Sequence, residues 1–219
     1  MKTLKINILL FSLIFSSSIK AQDSAYFKVM QKALKMMEED ESIEDRQKTA
    51  NLFDRIAEKE NEEWLPLYYS GLNYIYMSFG DSLDLNQRDA YLAKAKERVE
   101  KAANISEENA EIIVLIGYVD MARLAADPAS RGASLSAQIM QTFAKAVTMA
   151  PNNPRALLML ARMELGMAQF FGSGTEKACD LASQSMEVYK LENKMGIEPK
   201  WGQGMAKQML ISCEKKDKN

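Results

Sequence analysis

"KAVTMAPNNPRALLMLAR", Lys145 to Arg162, places apolar residues at helical spacing on both sides of a turn that contains two prolines. Phe143 and Ala146 sit three apart on the helix before the turn, Pro151 follows, and the next helix brings Leu157, Leu160, Ala161 and Glu164. Asn153 is positioned to cap that second helix, with Pro154 at its first position, where the missing N–H costs nothing. The stretch reads as a helix-turn-helix corner. Whether the corner recurs decides the architecture.

It recurs twice upstream. Val99 and Ala102 are followed by Glu107 in the turn, then Ile113, Ile116, Gly117 and Asp120; Phe53 and Ile56 are followed by Asn61, then Leu67, Ser70, Gly71 and Tyr74. From Phe53 to Gly71, Val99 to Gly117 and Phe143 to Ala161 the separation is 18 residues each time. A small residue at a fixed interval is expected where two helices cross too closely to admit a side chain. The bulky residue of the preceding helix then fills the space beside it. In the middle copy Ser106, with Glu107 and Glu108 behind it, places acceptors and negative charge near a helix start.

The stretches "FAKAVTMAPNNPRALLMLA", "VEKAANISEENAEIIVLIG" and "FDRIAEKENEEWLPLYYSG" resemble the tetratricopeptide repeat family, whose unit is a helix-turn-helix of about 34 residues. The copies here are longer, running 46, 44 and 39 residues from Phe53 to Val99, to Phe143 and to Ala182. The surplus lies between the two helices of a unit, at "SFGDSLDLNQRD", "AADPASRGASLSA" and "FFGSGTEK". The resemblance implies an all-α fold of antiparallel helix pairs stacked as a short right-handed solenoid with a C-terminal capping helix. Composition agrees, since alanine and methionine are plentiful and alternating Val and Ile runs are few. The expected pairs are 25–38 with 45–59, 64–78 with 88–103, 110–125 with 134–149, and 154–170 with 175–191. A last helix over 199–213 would cap the stack, as repeat arrays require.

Residues 1–21 have the layout of a secretory signal peptide, with Lys2 and Lys5 before an apolar run from Ile6 to Phe15, three serines, and Ala21 at the expected cleavage point. The apolar run is too short to cross a bilayer, which takes about 20 residues. The expected product is exported, periplasmic or secreted. It comprises a repeat domain over 22–214 and a flexible tail over 215–219, with no stable membrane insertion. Removal of three lysines and no acids shifts the formal charge from −2 to −5. With lysines interleaved among acids there is no basic stripe, so nucleic acid is not an expected partner. Cys179 and Cys213 lie on two successive predicted helices whose ends would meet in an antiparallel pair, so both a disulfide and a pair of buried thiols are open.

The chain has no histidine, which removes the commonest general base and the usual metal ligand. The acidic runs "EEDESIED" and "EKENEE" read as solvated helix ends. No catalytic residue, metal site or cofactor is expected. "FFGSGTEK" lacks the ending of a phosphate loop and reads as a turn with Thr175 as helix cap. "NIS" at Asn104 matches a glycosylation acceptor in a tight turn.

Two surfaces are candidate binding sites. The three insertions should emerge along one edge, presenting Phe79, Asp81, Asp127, Arg131, Phe170 and Phe171. The family resemblance implies a groove lined by the first helices of the units, with Tyr68, Leu72, Ile75, Val114, Tyr118, Met121, Leu158 and Arg162 facing it. Of these, Tyr68, Tyr118, Met121 and Arg162 suit a peptide or protein partner. The leading expectation is thus a non-catalytic scaffold that binds a protein or peptide in the cell envelope. The alternative is a carrier that closes its groove and insertions over an apolar or aromatic small molecule. An enzyme ranks third.

Overall fold

The computed structural model describes residues 25–192 and 196–216. The signal-peptide region and residues 217–219 lie outside them. The described residues are helices and connecting turns, without a strand: α1 (25–39), α2 (Ile43–Lys59), α3 (Leu65–Met77), α4 (Leu85–Ile105), α5 (Ala110–Ala126), α6 (Pro128–Met149), α7 (Pro154–Phe171), α8 (Glu176–Leu191) and α9 (Gln203–Lys216). Sequence neighbours pack on each other from α2 through α9, and α3 also touches α5, as α5 touches α7. The first helices of the pairs therefore form an inner row, with α4, α6 and α8 outside it. This is the all-helical, solenoid-like stack expected.

The inner row is buried because its residues permit nothing else. In α3 all but two of the residues from Leu65 to Met77 are buried, and α7 opens with a buried run from Pro154 to Ala161. A helix apolar on every side belongs inside a stack. The outer helices bury only a stripe: Leu92, Ala95, Val99 and Ala102 on α4, and Ile139, Phe143 and Ala146 on α6.

Gly71 and Gly117 stand at close crossings, but the partner is the helix that follows, not the one before. A Cβ on Gly71 would lie 2.8 Å from Val99 Cγ2, and one on Gly117 would collide with the Phe143 ring. The reason is that each pair packs on itself before it packs on its neighbour, so the bulky residue of the second helix enters the notch of the first. Ala161 instead joins Ala178, Ala182 and Met209 in a cluster of small residues beneath α9.

The surplus residues are absorbed mainly as helix. "AADPASRGASLSA" holds no loop, because Asp127 ends α5 and also caps α6, whose first residue is Pro128. α4 begins three residues earlier than expected, through a capping box in which Asp84 and Gln87 exchange hydrogen bonds. Only Gly172 to Thr175 remains as a turn after α7, and the Thr175 hydroxyl makes no cap bond. In the middle copy the cap of α5 is Asn109 and not Ser106, whose hydroxyl accepts from Asn109. Asn153 caps α7 as expected, accepting from Ala156 N–H at 3.0 Å. Residues 215 and 216 continue α9.

Cys179 of α8 and Cys213 of α9 are joined in a disulfide. With Leu158, Tyr189 and Ala206 packed together, it fastens α9 across the end of the stack. Among the described residues no helix is long and apolar enough to cross a membrane.

Candidate functional site

The inner row carries a groove of two chambers that share Arg46 and Tyr76. The first, about 450 Å³, lies between α1 (Leu34, Met37), α3 (Tyr69, Leu72, Tyr76) and the segment between α8 and α9 (Glu198, Lys200, Trp201). The second, about 400 Å³, is bounded by Arg46, Tyr76, Phe79, Tyr118, Arg162 and Met205. Each falls within the usual range for small-molecule sites, about 300–1,000 Å³. Tyr69, Leu72 and Tyr76 share one stripe of α3 by helical spacing, so one helix supplies the floor of the first chamber and the junction with the second.

The segment over residues 196–202 crosses the groove and is tied down by hydrogen bonds. Tyr69 donates its hydroxyl proton to the Ile197 carbonyl at 2.8 Å, and Tyr189 donates to the Trp201 carbonyl at 2.9 Å. Trp201 Nε1–H donates to the Tyr68 hydroxyl at 2.7 Å, while its ring stacks on Tyr118 at 5.6 Å. Gly202, with φ of 104°, makes the turn into α9 where a side chain would strike the Tyr189 hydroxyl. Burial holds the hydroxyls of Tyr68, Tyr69, Tyr76 and Tyr118 protonated by raising them above the usual range. They therefore serve as neutral hydrogen-bonding groups.

A buried ion network supports this wall from below. Arg155, 4% exposed, donates from Nε to both oxygens of Glu111 at 2.9 Å and from Nη2 to Glu192 at 2.5 Å. Burial opposes the Arg155 charge, but Glu111 and Glu192 outweigh it and hold the guanidinium above its ordinary range. Tyr68 donates to Glu111 at 3.2 Å, as does Asn153 at 2.6 Å, so the residue that caps α7 also fixes this carboxylate.

The groove is aromatic on its walls and cationic at its centre. The Arg46 guanidinium lies over the Tyr76 ring at 5.1 Å from the centroid and donates from Nη2 to the Asp40 carbonyl at 3.0 Å. Its Nη1 is buried and has no hydrogen-bond partner among the described residues. Arg162 points Nη1 at the Met205 sulfur, 3.0 Å away. No group of three or more metal-ligating side chains is found among the described residues.

Several residues expected to bind are engaged otherwise. Tyr68 is fully buried, its hydroxyl consumed by Trp201 and Glu111, so it supports the groove and does not face it. Leu72 lines the first chamber, whereas Ile75, Val114 and Leu158 are core. Tyr118, Arg162 and Phe79 meet in the second chamber, although Phe79 was assigned to the insertion edge. Met121 is half-buried against the core. Arg131 is no free edge residue: it grips Asp89 of α4 through two hydrogen bonds, at 2.5 and 2.8 Å, and ties α6 to α4. Asp81 is exposed, and Phe170 and Phe171 pack only edge-to-face on each other at the end of α7, 81% and 69% exposed. The three insertions thus do not converge on one binding edge.

Sequence reasoning missed Arg46, Tyr76, Trp201 and Met205. Arg46 was hidden in a charged run, and Trp201 stood in "PKWGQG", where a large aromatic among turn residues was itself a signal.

No protein-family model matches the chain, and no curated protein does. Among solved structures the chain is similar to the HusA haemophore from Porphyromonas gingivalis, with a TM-score of 0.78 and 28% identity over 89% of this chain and 96% of that one. A MamA RS-1 ArsTM double mutant is also similar, at 13% identity over 76% of each chain and a TM-score of 0.45.

Proposed function

We propose that the chain is an exported, non-catalytic carrier of a flat, largely apolar small molecule, with haem-type tetrapyrroles as the first candidates. The observation that carries this reading is the two-chambered groove, walled by Tyr69, Tyr76, Phe79, Tyr118 and Trp201, in a chain whose full-length structural neighbour is a haemophore. Planar rings of this kind are gripped by aromatic faces, and with no histidine in the sequence that grip falls to the faces and edges of the groove.

The neighbour favours the small-molecule carrier over the protein-binding scaffold. The groove supports the same choice. Its segment 196–202 walls the first chamber, and Tyr68, a leading candidate for peptide contact, is buried with its hydroxyl bonded to Trp201 of that segment. The repeat corner, the export signal and the absence of catalysis belong to the same proposal: a divergent tetratricopeptide-like stack used outside the cytoplasm as a container.

The test is a titration of the purified chain over residues 22–219 with haemin, followed by its absorbance band. A saturable shift with one equivalent bound supports a carrier. An unchanged haemin spectrum at equimolar micromolar protein contradicts it.

A further inference from the structure

The two chambers differ in charge. The first sets Lys35, Arg46 and Lys200 against Glu38 and Glu198, and Lys200 is further engaged with the Gly196 carbonyl at 2.9 Å. The second holds Arg46 and Arg162 and no carboxylate. Among the described residues neither arginine forms an ion pair. Beside Arg46 stands Asp40, whose carboxyl is raised by burial, against the pull of Thr49 and of the Arg46 charge; its Oδ1 takes a hydrogen bond from Thr49, while Arg46 donates to the Asp40 backbone carbonyl. Both guanidiniums line the second chamber together with Tyr76, over whose ring Arg46 lies. A half-buried arginine with an idle buried N–H, sharing a chamber with another whose partners are a thioether and the Tyr118 hydroxyl, is an arrangement that an incoming anion would complete.

We infer that the second chamber is an anion site in which Arg46 and Arg162 together receive the acidic group of the carried molecule. The ligand then enters in one orientation, with its acid between α2 and α7 and its apolar body in the first chamber, on Tyr69, Leu72 and Trp201. This rests on the carrier reading and adds to it the chemical class of cargo, an apolar acid, and the two residues that select it. A neutral ligand of equal shape would leave both cations unanswered.

The experiment compares the wild-type chain with Arg46→Met, Arg162→Met and the charge-keeping Arg46→Lys, with helical signal measured for each. Three probes are titrated in the same low-detergent buffer: protoporphyrin IX, its dimethyl ester, and the apolar anionic dye anilinonaphthalene sulfonate. The expected result is a loss of diacid and dye affinity of about tenfold in each Met variant, a smaller loss in Arg46→Lys, and ester binding within about twofold of wild type. Equal losses for diacid and ester, or no loss for either, would overturn the anion site while leaving the carrier intact. Arginine-dependent uptake of the dye without any porphyrin would uphold the anion site and remove the haem reading. A wild-type chain that takes up none of the three overturns both.

Discussion

The middle of the stack and its C-terminal end solve the same packing problem differently. Between α3 and α4, and between α5 and α6, a glycine opens a notch and a bulky residue fills it, Val99 at Gly71 and Phe143 at Gly117. Between α7 and α8 both sides are small, with Ala161 facing Ala178 and Ala182, and Met209 of α9 closes the gap. The middle is held chiefly by shape, with part-exposed ion pairs such as Arg131–Asp89 and Arg98–Asp54 added at its surface. The end, where α9 is the last described helix, adds a disulfide, the Glu111–Arg155–Glu192 network and the tethered segment 196–202. The groove straddles the two: its floor belongs to the shape-packed middle, while Trp201 and Met205 hang from the reinforced end.

Removing the reinforcement should have the largest effect. Arg155→Met leaves Glu111 and Glu192 without their shared cation, and a loss of about 3–5 kcal/mol in chemical unfolding is expected. A loss below about 1 kcal/mol would mean that the end, too, is held by shape. The disulfide closes 34 residues, and in the chain-entropy account its loss in Cys179→Ser with Cys213→Ser costs about 3–4 kcal/mol, read as a lower denaturation midpoint that reductant reproduces in the wild type.

A notch of the middle is probed against an open glycine of the end. Gly117→Ala forces a methyl group into the Phe143 ring and should cost about 1–3 kcal/mol, whereas Gly166→Ala meets open space on α7 and should gain up to about 1 kcal/mol. Equal effects would dissolve the contrast between notch and open helix. The smallest effect belongs to the surface clasp of the middle pairs. The Arg131 hydrogen bonds hold the Asp89 carboxyl below its ordinary 3.8. Because the folded value is lowered, this stabilisation is full above the unfolded value and fades as pH falls through the folded one. Asp89→Asn should therefore cost at most about 1 kcal/mol at neutral pH and progressively less as pH falls through the folded value.

The inner rows were legible because close crossings demand small residues, and such demands recur at fixed spacing in any stack. Gly71 and Gly117 announced themselves in this way. The partner of each notch was not legible, because an 18-residue spacing exists between neighbouring pairs whether or not the contact is made there. Insertions between helices look like loops in sequence, yet Asp127 followed by proline ends one helix and starts the next without a gap. The groove was half legible: Tyr118 and Arg162 fall on the inner stripe, but Arg46 and Trp201 reach it from α2 and from a turn, across sequence separations that no local period encodes.

The central claim is that this groove, under Trp201, takes up a flat tetrapyrrole. The chain has two tryptophans, so Trp64→Phe leaves Trp201 as the sole reporter inside the groove. Titrating that variant with haemin while following tryptophan emission is the most direct measurement. The account predicts quenching that saturates at one equivalent; emission unchanged up to that point, or decline in proportion to added haemin without a plateau, would contradict it.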